Sequence, residues 1–176
     1  MMKQLDLVRT GAIGEVIERI DKEWMLLTAG TPERHNTMTV SWNNFGVLWY
    51  RPMATIYVRP ERYTYDFVEA EDYFSLSFFP PEYREALVFC GKESGRDYDK
   101  TAECGFTVKQ GTEGGIYYAE ADLTLICKKR YRAPFEMEHI IDVDTSLYYG
   151  GKHGGLHMMY MGEIMEVIAK DETKES

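Results

Sequence analysis

Small polar and large apolar residues alternate along the segment NTMTVSW, residues 36–42, with the two-residue period of a β-strand. From Thr37 onward, one face of such a strand would carry hydroxyl groups and the other large apolar side chains, namely Thr37, Thr39 and Ser41 against Met38, Val40 and Trp42. The apolar face suits burial in a core, and the short hydroxyl side chains would let a flat ligand lie close to the main chain. The pattern alone favours an ordinary half-buried strand over a ligand-binding one.

Hydrophobic spacing predicts the other elements. Residues 12–20 are predicted as an amphipathic helix, and residues 63–69 and 82–90 as helices placed between strands. Short β-forming runs separated by turn residues predict strands over residues 25–29, 37–46, 53–59, 73–78, 106–109, 116–119, 123–131 and 157–168.

These strands dominate the chain and do not alternate regularly with helices long enough for parallel crossovers. We therefore expect a single mainly β domain over residues 1–176, built as a closed or split antiparallel barrel with helices packed outside it. A doubly wound sheet is the alternative. Residues 131–155 are predicted to form an irregular insertion, and residues 170–176 a disordered tail.

Charge and composition narrow the function. With 20 Lys and Arg against 29 Asp and Glu, the net charge of −9 would repel a nucleic acid backbone. The N-terminus has no signal-peptide pattern and the apolar runs are too short to span a bilayer, so we expect a soluble, cytoplasmic protein without a membrane partner. The three cysteines form no CxxC motif, which argues against a zinc ribbon or a dithiol redox motif: Cys90, Cys104 and Cys127.

Two segments could bind an anion, although neither GxxxxGK[ST] nor GxGxxG occurs. In VRPERYTYDF, basic and hydroxyl residues lead into a predicted helix, whose free amides attract anions. Thr64 could cap that helix or donate to a phosphate. Alternatively, the two arginines are surface residues paired with Glu61 and Asp66. The candidate ligands are Arg59, Arg62, Tyr63 and Thr64.

The second segment is GKESGRDYDK, in which a polar turn is followed by a basic residue. Ser94 and Arg96 would lie in the turn, and Lys100 would add a mobile cation. Asp97 or Asp99 is expected to cap the next short helix. An ordinary solvated loop has the same composition.

His157 opens the last predicted strand, in LHMMYMGEIMEV, where it could donate to a cofactor or substrate or serve as a buried structural histidine. His153 and His157 have the HxxxH spacing of a metal pair, but the glycines between them disfavour a helix, so we expect no metal site. The GxSxG motif of serine hydrolases is absent, and the residues next to the cysteines match no motif of a catalytic nucleophile, which argues against hydrolysis. The pattern favours a bound phosphorylated cofactor that supplies its own chemistry.

The segments NTMTVSW, VRPERYTYDF, FCGKESGRDYDK and HMMYMGEI, in this order and spacing, resemble the flavin reductase-like family of FMN-binding split barrels, which includes flavoredoxin-like proteins. The resemblance covers residues 15–167. It implies a six-stranded Greek-key antiparallel split barrel and a homodimer with FMN near the subunit interface. It also implies reduction of flavin by NADH or NADPH.

Carried over by residue, the resemblance implies that residues 36–42 lie along the flavin ring, with contacts from Asn36, Met38, Thr39, Val40, Ser41 and Trp42. It implies phosphate and ribityl contacts from Arg59, Arg62, Tyr63, Thr64, Ser94, Arg96 and Lys100. His157 would lie near the flavin or the nicotinamide, as the catalytic candidate.

The leading hypothesis is an FMN-dependent NAD(P)H oxidoreductase. One alternative is an FMN electron carrier that serves a redox partner protein. Another is a related barrel that binds haem or a different cofactor.

Overall fold

The structure, a computed structural model, describes residues 12–170, and this range holds four α-helices and nine β-strands. The helices are α1 (Ala12–Lys22), α2 (Tyr63–Ala70), α3 (Arg84–Lys92) and α4 (Lys100–Glu103). The strands are β1 (Met25–Gly30), β2 (His35–Val40), β3 (Asn43–Leu48), β4 (Arg51–Val58), β5 (Tyr73–Phe78), β6 (Val108–Gln110), β7 (Ile116–Tyr118), β8 (Leu123–Pro134) and β9 (Met158–Ala169).

Most predicted elements are confirmed with small shifts of their ends, and β5 matches its predicted bounds. Two predictions are wrong. The predicted strand over residues 37–46 is two strands, because the chain leaves β2 after Val40 and enters β3 at Asn43. The predicted insertion over residues 131–155 begins later, because β8 continues to Pro134 through its pairing with β9. Of the tail predicted over residues 170–176, residues 171–176 lie outside the described residues.

The main sheet has seven strands in the order β2-β1-β5-β8-β9-β4-β3, and each neighbouring pair is antiparallel. This rules out the doubly wound alternative. The edge strands β2 and β3 are joined by Ser41 and Trp42 alone, and such a link spans at most about 11 Å. The sheet must therefore curl until its edges meet at this corner, which gives a split barrel. Splitting the predicted strand adds one strand to the implied six.

The barrel interior is filled by apolar side chains of β1, β2, β4, β5 and α2, among them Leu27, Met38, Ile56, Phe67 and Phe74. A second apolar cluster lies between the barrel and α3, and it contains Leu26, Leu87, Cys90, Phe106 and Tyr118. Strand β1 is consequently buried on both faces. Within residues 12–170, no helix is long and apolar enough to cross a membrane.

Candidate functional site

A groove with two adjoining chambers lies where β2 ends, beside α2 and the loop after α3. The strand chamber, of about 240 Å³, is lined by Met38, Thr39, Val40, Ser41, Trp42, Tyr57, Arg59, Arg62 and His157. The loop chamber, of about 160 Å³, is lined by Asn36, Glu61, Arg62, Tyr63, Thr64, Lys92, Glu93, Ser94, Gly95 and Lys100. Arg62 borders both chambers. Two segments far apart in the sequence therefore meet at one surface.

All but one of the candidate site residues line these two chambers. Arg96 lines an adjoining hollow of about 350 Å³ that shares Asn36, Tyr63 and Lys100 with the loop chamber. Its guanidinium lies 4.6 Å from the centre of the Tyr63 ring and 3.3 Å from the Asp66 carboxylate. The structure thus brings the candidates together.

The hydroxyl face of β2 does not form an open shelf, which corrects the interpretation suggested by its alternation. Thr37 is fully buried, and its hydroxyl lies 3.1 Å from the carbonyl oxygen of Leu27 and 2.9 Å from the hydroxyl of Thr28. The hydroxyl of Thr39 donates to the carbonyl of Leu87, since α3 packs on this face. These two hydroxyl groups stabilise the fold.

The end of β2 supplies the accessible part of the strand chamber. Ser41 and Trp42 lie outside regular structure, where the chain passes from one edge strand to the other. The Trp42 ring is 47% exposed and packs against His157, with ring centres 5.4 Å apart. Met38 and Val40 border the chamber with little exposed surface, because their side chains belong to the barrel core.

His157 is held between Arg59 and Tyr149. Arg59 Nε donates to Nε2 of the imidazole at 3.3 Å, so Nδ1 carries the proton and donates to the Tyr149 hydroxyl at 3.2 Å. Burial, reinforced by the charge of Arg59 and opposed by Glu61, lowers the pKa of His157 to about 4. The ring is neutral at pH 7 and both nitrogens are engaged. These contacts suit a residue that positions Arg59.

We expect the protein to lose stability on acidification between about pH 6.5 and pH 4. In that range the unfolded chain binds a proton at His157 and the folded chain does not, so the free energy of unfolding falls as the pH falls, by about 2 to 3 kcal/mol. Urea unfolding at a series of pH values measures the loss. A His157→Gln variant, which cannot titrate, should lack this component; an unchanged profile in that variant would contradict the assignment.

Three cations border the groove without a carboxylate partner among residues 12–170. Arg59 donates to the Tyr148 carbonyl at 2.9 Å, and Arg62 donates to the Gly91 carbonyl at 2.9 Å. Lys100 Nζ donates to the carbonyls of Thr37 and Cys90, at 2.9 and 2.7 Å. Their positive charge is concentrated in a protein whose net charge is −9.

The alternative in which Arg59 and Arg62 pair with Glu61 and Asp66 is wrong. Glu61 instead accepts a hydrogen bond from the Gly155 amide at 2.6 Å, which is the main reason that its pKa is lowered. Asp66 pairs with Arg96. The two arginines are left to face the chambers.

Lys100 is not the mobile cation expected from its loop sequence. Its side chain is buried beneath the loop, with 4% of the residue exposed, and burial lowers its pKa to about 8. Burial likewise lowers the pKa of Arg62, helped by the charge of Arg59. The prediction that Asp97 or Asp99 caps the short helix is confirmed for Asp99, whose carboxylate accepts from the Ala102 amide at 3.1 Å.

The capping role of Thr64 is wrong, because Arg62 occupies the cap position of α2. Thr64 is buried, and its hydroxyl accepts a hydrogen bond from the side-chain amide of Asn36 at 2.9 Å. This bond connects β2 to α2. Gly95 packs closely against the same asparagine: a Cβ atom there would lie 1.9 Å from Asn36 Oδ1. The loop chamber therefore depends on a glycine that the sequence did not single out.

Sequence reasoning also missed the aromatic rim of the strand chamber. Tyr57, Phe135 and Tyr149 adjoin Trp42 and His157 in a further hollow of about 310 Å³. Tyr149 belongs to the segment predicted as an insertion, whose composition gave no signal for it. Exposed Glu136, Glu138 and His139 also lie close enough together to hold an ion, but outside the groove.

Comparison with known proteins places the chain in a family. The profile of the Flavin reductase like domain matches residues 17–176, so the chain belongs to the flavin reductase-like domain family. No curated protein sequence matches significantly.

Solved structures share the fold. Flavoredoxin from Methanosarcina acetivorans superposes with a TM-score of 0.68 at 21% identity, over 85% of this chain and 69% of that one. The FMN-binding protein from Thermus thermophilus with bound p-hydroxybenzaldehyde superposes with a TM-score of 0.66 at 20% identity, over 87% of this chain and 74% of that one. Flavoredoxin of Desulfovibrio vulgaris superposes with a TM-score of 0.66 at 22% identity, over 85% of this chain and 70% of that one.

Proposed function

We propose that this protein binds FMN in the groove, with the ring in the strand chamber and the phosphate in the loop chamber. The carrying observation is the set of three cations, Arg59, Arg62 and Lys100, that face the groove without a carboxylate partner among the described residues. A phosphate in the loop chamber would balance the charge of Arg62 and Lys100 and accept several hydrogen bonds at once, and Arg59 would lie beside the ring in the strand chamber. Together the chambers have the size of a small-molecule site.

The donors and walls of the groove fit the two ends of FMN. Arg62 borders both chambers, so its guanidinium would neutralise the phosphate near the join between the two halves of the ligand. The Ser94 hydroxyl and the backbone of Gly95 line the loop chamber, where they would donate to the phosphate. Trp42 and the main chain of residues 38–41 would bound a flat ring.

We further propose oxidoreductase activity of the flavin reductase type, with NADH or NADPH as the hydride donor. Bound FMN would supply a ring that accepts a hydride and passes the electrons on. The residues of the chain would orient the two rings, and no side-chain acid and base pair is needed. A neutral His157 next to Arg59 is compatible with this work, because it holds a cation near the ring without exchanging protons at pH 7.

The second candidate is an FMN electron carrier without its own NAD(P)H turnover. The observation that favours it is the open groove, where the exposed edge of Trp42 could meet a redox partner protein.

One set of measurements separates these functions. We expect the purified protein to retain FMN through gel filtration, as its absorbance spectrum would show. The flavin absorbance should be bleached when NADH or NADPH is added without oxygen. Retained flavin with negligible NAD(P)H turnover would favour the carrier. An absorbance spectrum typical of haem would overturn the proposal. So would a protein that neither binds FMN nor oxidises NADH or NADPH when flavin is added.

We also propose that the protein is a homodimer. Trp49 and Tyr50 form the turn between β3 and β4, both with positive φ, and Tyr50 is fully exposed. Large side chains in left-handed backbone are costly, which suggests that the turn serves a contact. Exposed Val47 and Ile141 add apolar surface. Sedimentation should give twice the chain mass of 20.4 kDa, and the monomer mass at micromolar concentration would contradict this.

A further inference from the structure

Two thiols that no part of the proposed reaction uses lie side by side behind the loop chamber. Cys90 is in the last turn of α3, Cys104 follows α4, and their Sγ atoms are 3.8 Å apart. Both are free thiols. This pair cannot be recognised from the sequence, because its spacing matches no dithiol motif. The third cysteine, Cys127, lies in β8 within the barrel core.

The local backbone allows these sulfurs to come together. A disulfide requires about 2.05 Å between sulfurs, so the pair must close by roughly 1.8 Å. Cys104 follows a helix of one turn and precedes Gly105, which has a φ of 65° and open space where a side chain would be. Cys90 lies in a regular helix and is fully buried. The movement can therefore come from the Cys104 side.

The pair spans the loop that carries the proposed phosphate site. Residues 91–103 include Ser94, Gly95 and Lys100, which line the loop chamber. Arg62 donates to the carbonyl of Gly91 and Lys100 to the carbonyl of Cys90, so two of the groove's cations are bonded to the backbone at the start of this loop. A bond between Cys90 and Cys104 would close the loop into a covalent ring.

We propose that Cys90 and Cys104 form a redox modification site, at which a hydroperoxide converts the two thiols into an intramolecular disulfide that fixes the loop of residues 91–103. The Cys104 thiolate attacks a peroxide oxygen and becomes a sulfenic acid, with release of water. The Cys90 sulfur then attacks the sulfenic sulfur and expels a second water. Two thiols and one hydrogen peroxide give one disulfide and two waters, and a thiol reductant reverses the change.

The exposure of each thiol decides which one is oxidised first, and its ionisation decides the rate of oxidation. Cys104 is partly exposed while Cys90 is buried, so the oxidant reaches Cys104 first. Burial raises the pKa of both thiols, that of Cys90 to about 12, although the charge of Lys100 opposes the rise. Because the thiolate is the reactive form, oxidation is slow at neutral pH. The site therefore responds to sustained oxidation.

Alkylation and mass spectrometry test the bond. After prolonged treatment with hydrogen peroxide, denatured protein should take up one alkyl group, on Cys127, where reduced protein takes up three, and its mass should fall by about two units before alkylation. Dithiothreitol should restore all three. The Cys104→Ser and Cys90→Ala variants should show no such fall in mass after peroxide treatment, whereas a Cys127→Ala variant should show it. Three free thiols after peroxide, a bond that includes Cys127, or a bond between chains would overturn the proposal.

Hydrogen exchange tests the effect on the loop without any cofactor. The oxidised protein should exchange the amides of residues 93–103 more slowly than the reduced protein, and those of β8 and β9 at the same rate. Unchanged exchange in the loop would refute the fixing of the loop.

One consequence, slower dissociation of FMN from the oxidised protein, rests on the proposed function. If FMN does not bind at all, the disulfide and its effect on exchange are still measured, so the two failures remain distinguishable.

Discussion

An Arg62→Met variant is expected to bind FMN about 10- to 150-fold more weakly than the unmodified protein. Arg62 is the residue that borders both chambers, and it has no carboxylate partner among the described residues. Losing a charge-assisted hydrogen bond costs about 1.5 to 3 kcal/mol, which corresponds to that range of dissociation constants. Quenching of flavin fluorescence on titration with protein measures the change.

Two further variants show whether the loss comes from the site. Arg132→Met removes an exposed guanidinium outside the groove, where it pairs with Glu69 at 3.2 Å, and it should leave FMN binding unchanged. Arg62→Lys keeps the charge without the two-pronged geometry, so an intermediate loss is expected. Equal FMN affinity in Arg62→Met and Arg132→Met would contradict the placement of the phosphate.

Replacing Lys100 with alanine is expected to weaken both the fold and FMN binding. The ammonium group donates to the buried carbonyls of Thr37 and Cys90, and alanine leaves both without this donor. We expect the free energy of unfolding to fall by about 2 to 4 kcal/mol, measured by urea denaturation. A Lys100→Met variant keeps the buried stem and should lose less stability while losing the same charge.

The pH dependence of binding isolates the charge of Lys100. Its pKa of about 8 means that the ammonium loses its proton above pH 8, where the phosphate of FMN is already doubly ionised. FMN affinity should then fall with rising pH, by up to about tenfold per pH unit. The Lys100→Met variant should bind weakly with no such slope. An equal slope in both proteins would assign the titration to another group.

The sequence predicted well what is local in the chain. A short run of β-forming residues predicted β5 with its bounds, and the turn residues around Ser94 marked a polar loop that does border the groove. The predicted helix start after them placed Arg59 and Arg62 as candidates for an anion, with pairing to nearby carboxylates left as the alternative. Strand dominance favoured an antiparallel barrel over a doubly wound sheet, and the antiparallel strand pairing confirms that preference.

What the sequence could not show depends on contacts between distant residues. Thr39 loses its free hydroxyl to Leu87, 48 positions away, and Lys100 is buried through its bond to Thr37, 63 positions away. The approach of Cys90 to Cys104 likewise follows from the packing of Cys104 against the apolar cluster that contains Cys90. The break of the predicted strand at Ser41 reflects the curling of the whole sheet, since alternation continues across the corner.

The two-residue link between β2 and β3 gives the barrel and the groove a common dependence. Ser41 and Trp42 join the edges of the sheet and also line the strand chamber. A longer link would let the edges separate and would at the same time displace the wall against which we place the ring. Tolerance of insertions should therefore be lowest at this corner and highest in the segment after β8, so ligand preference can diversify at that rim without loosening the barrel.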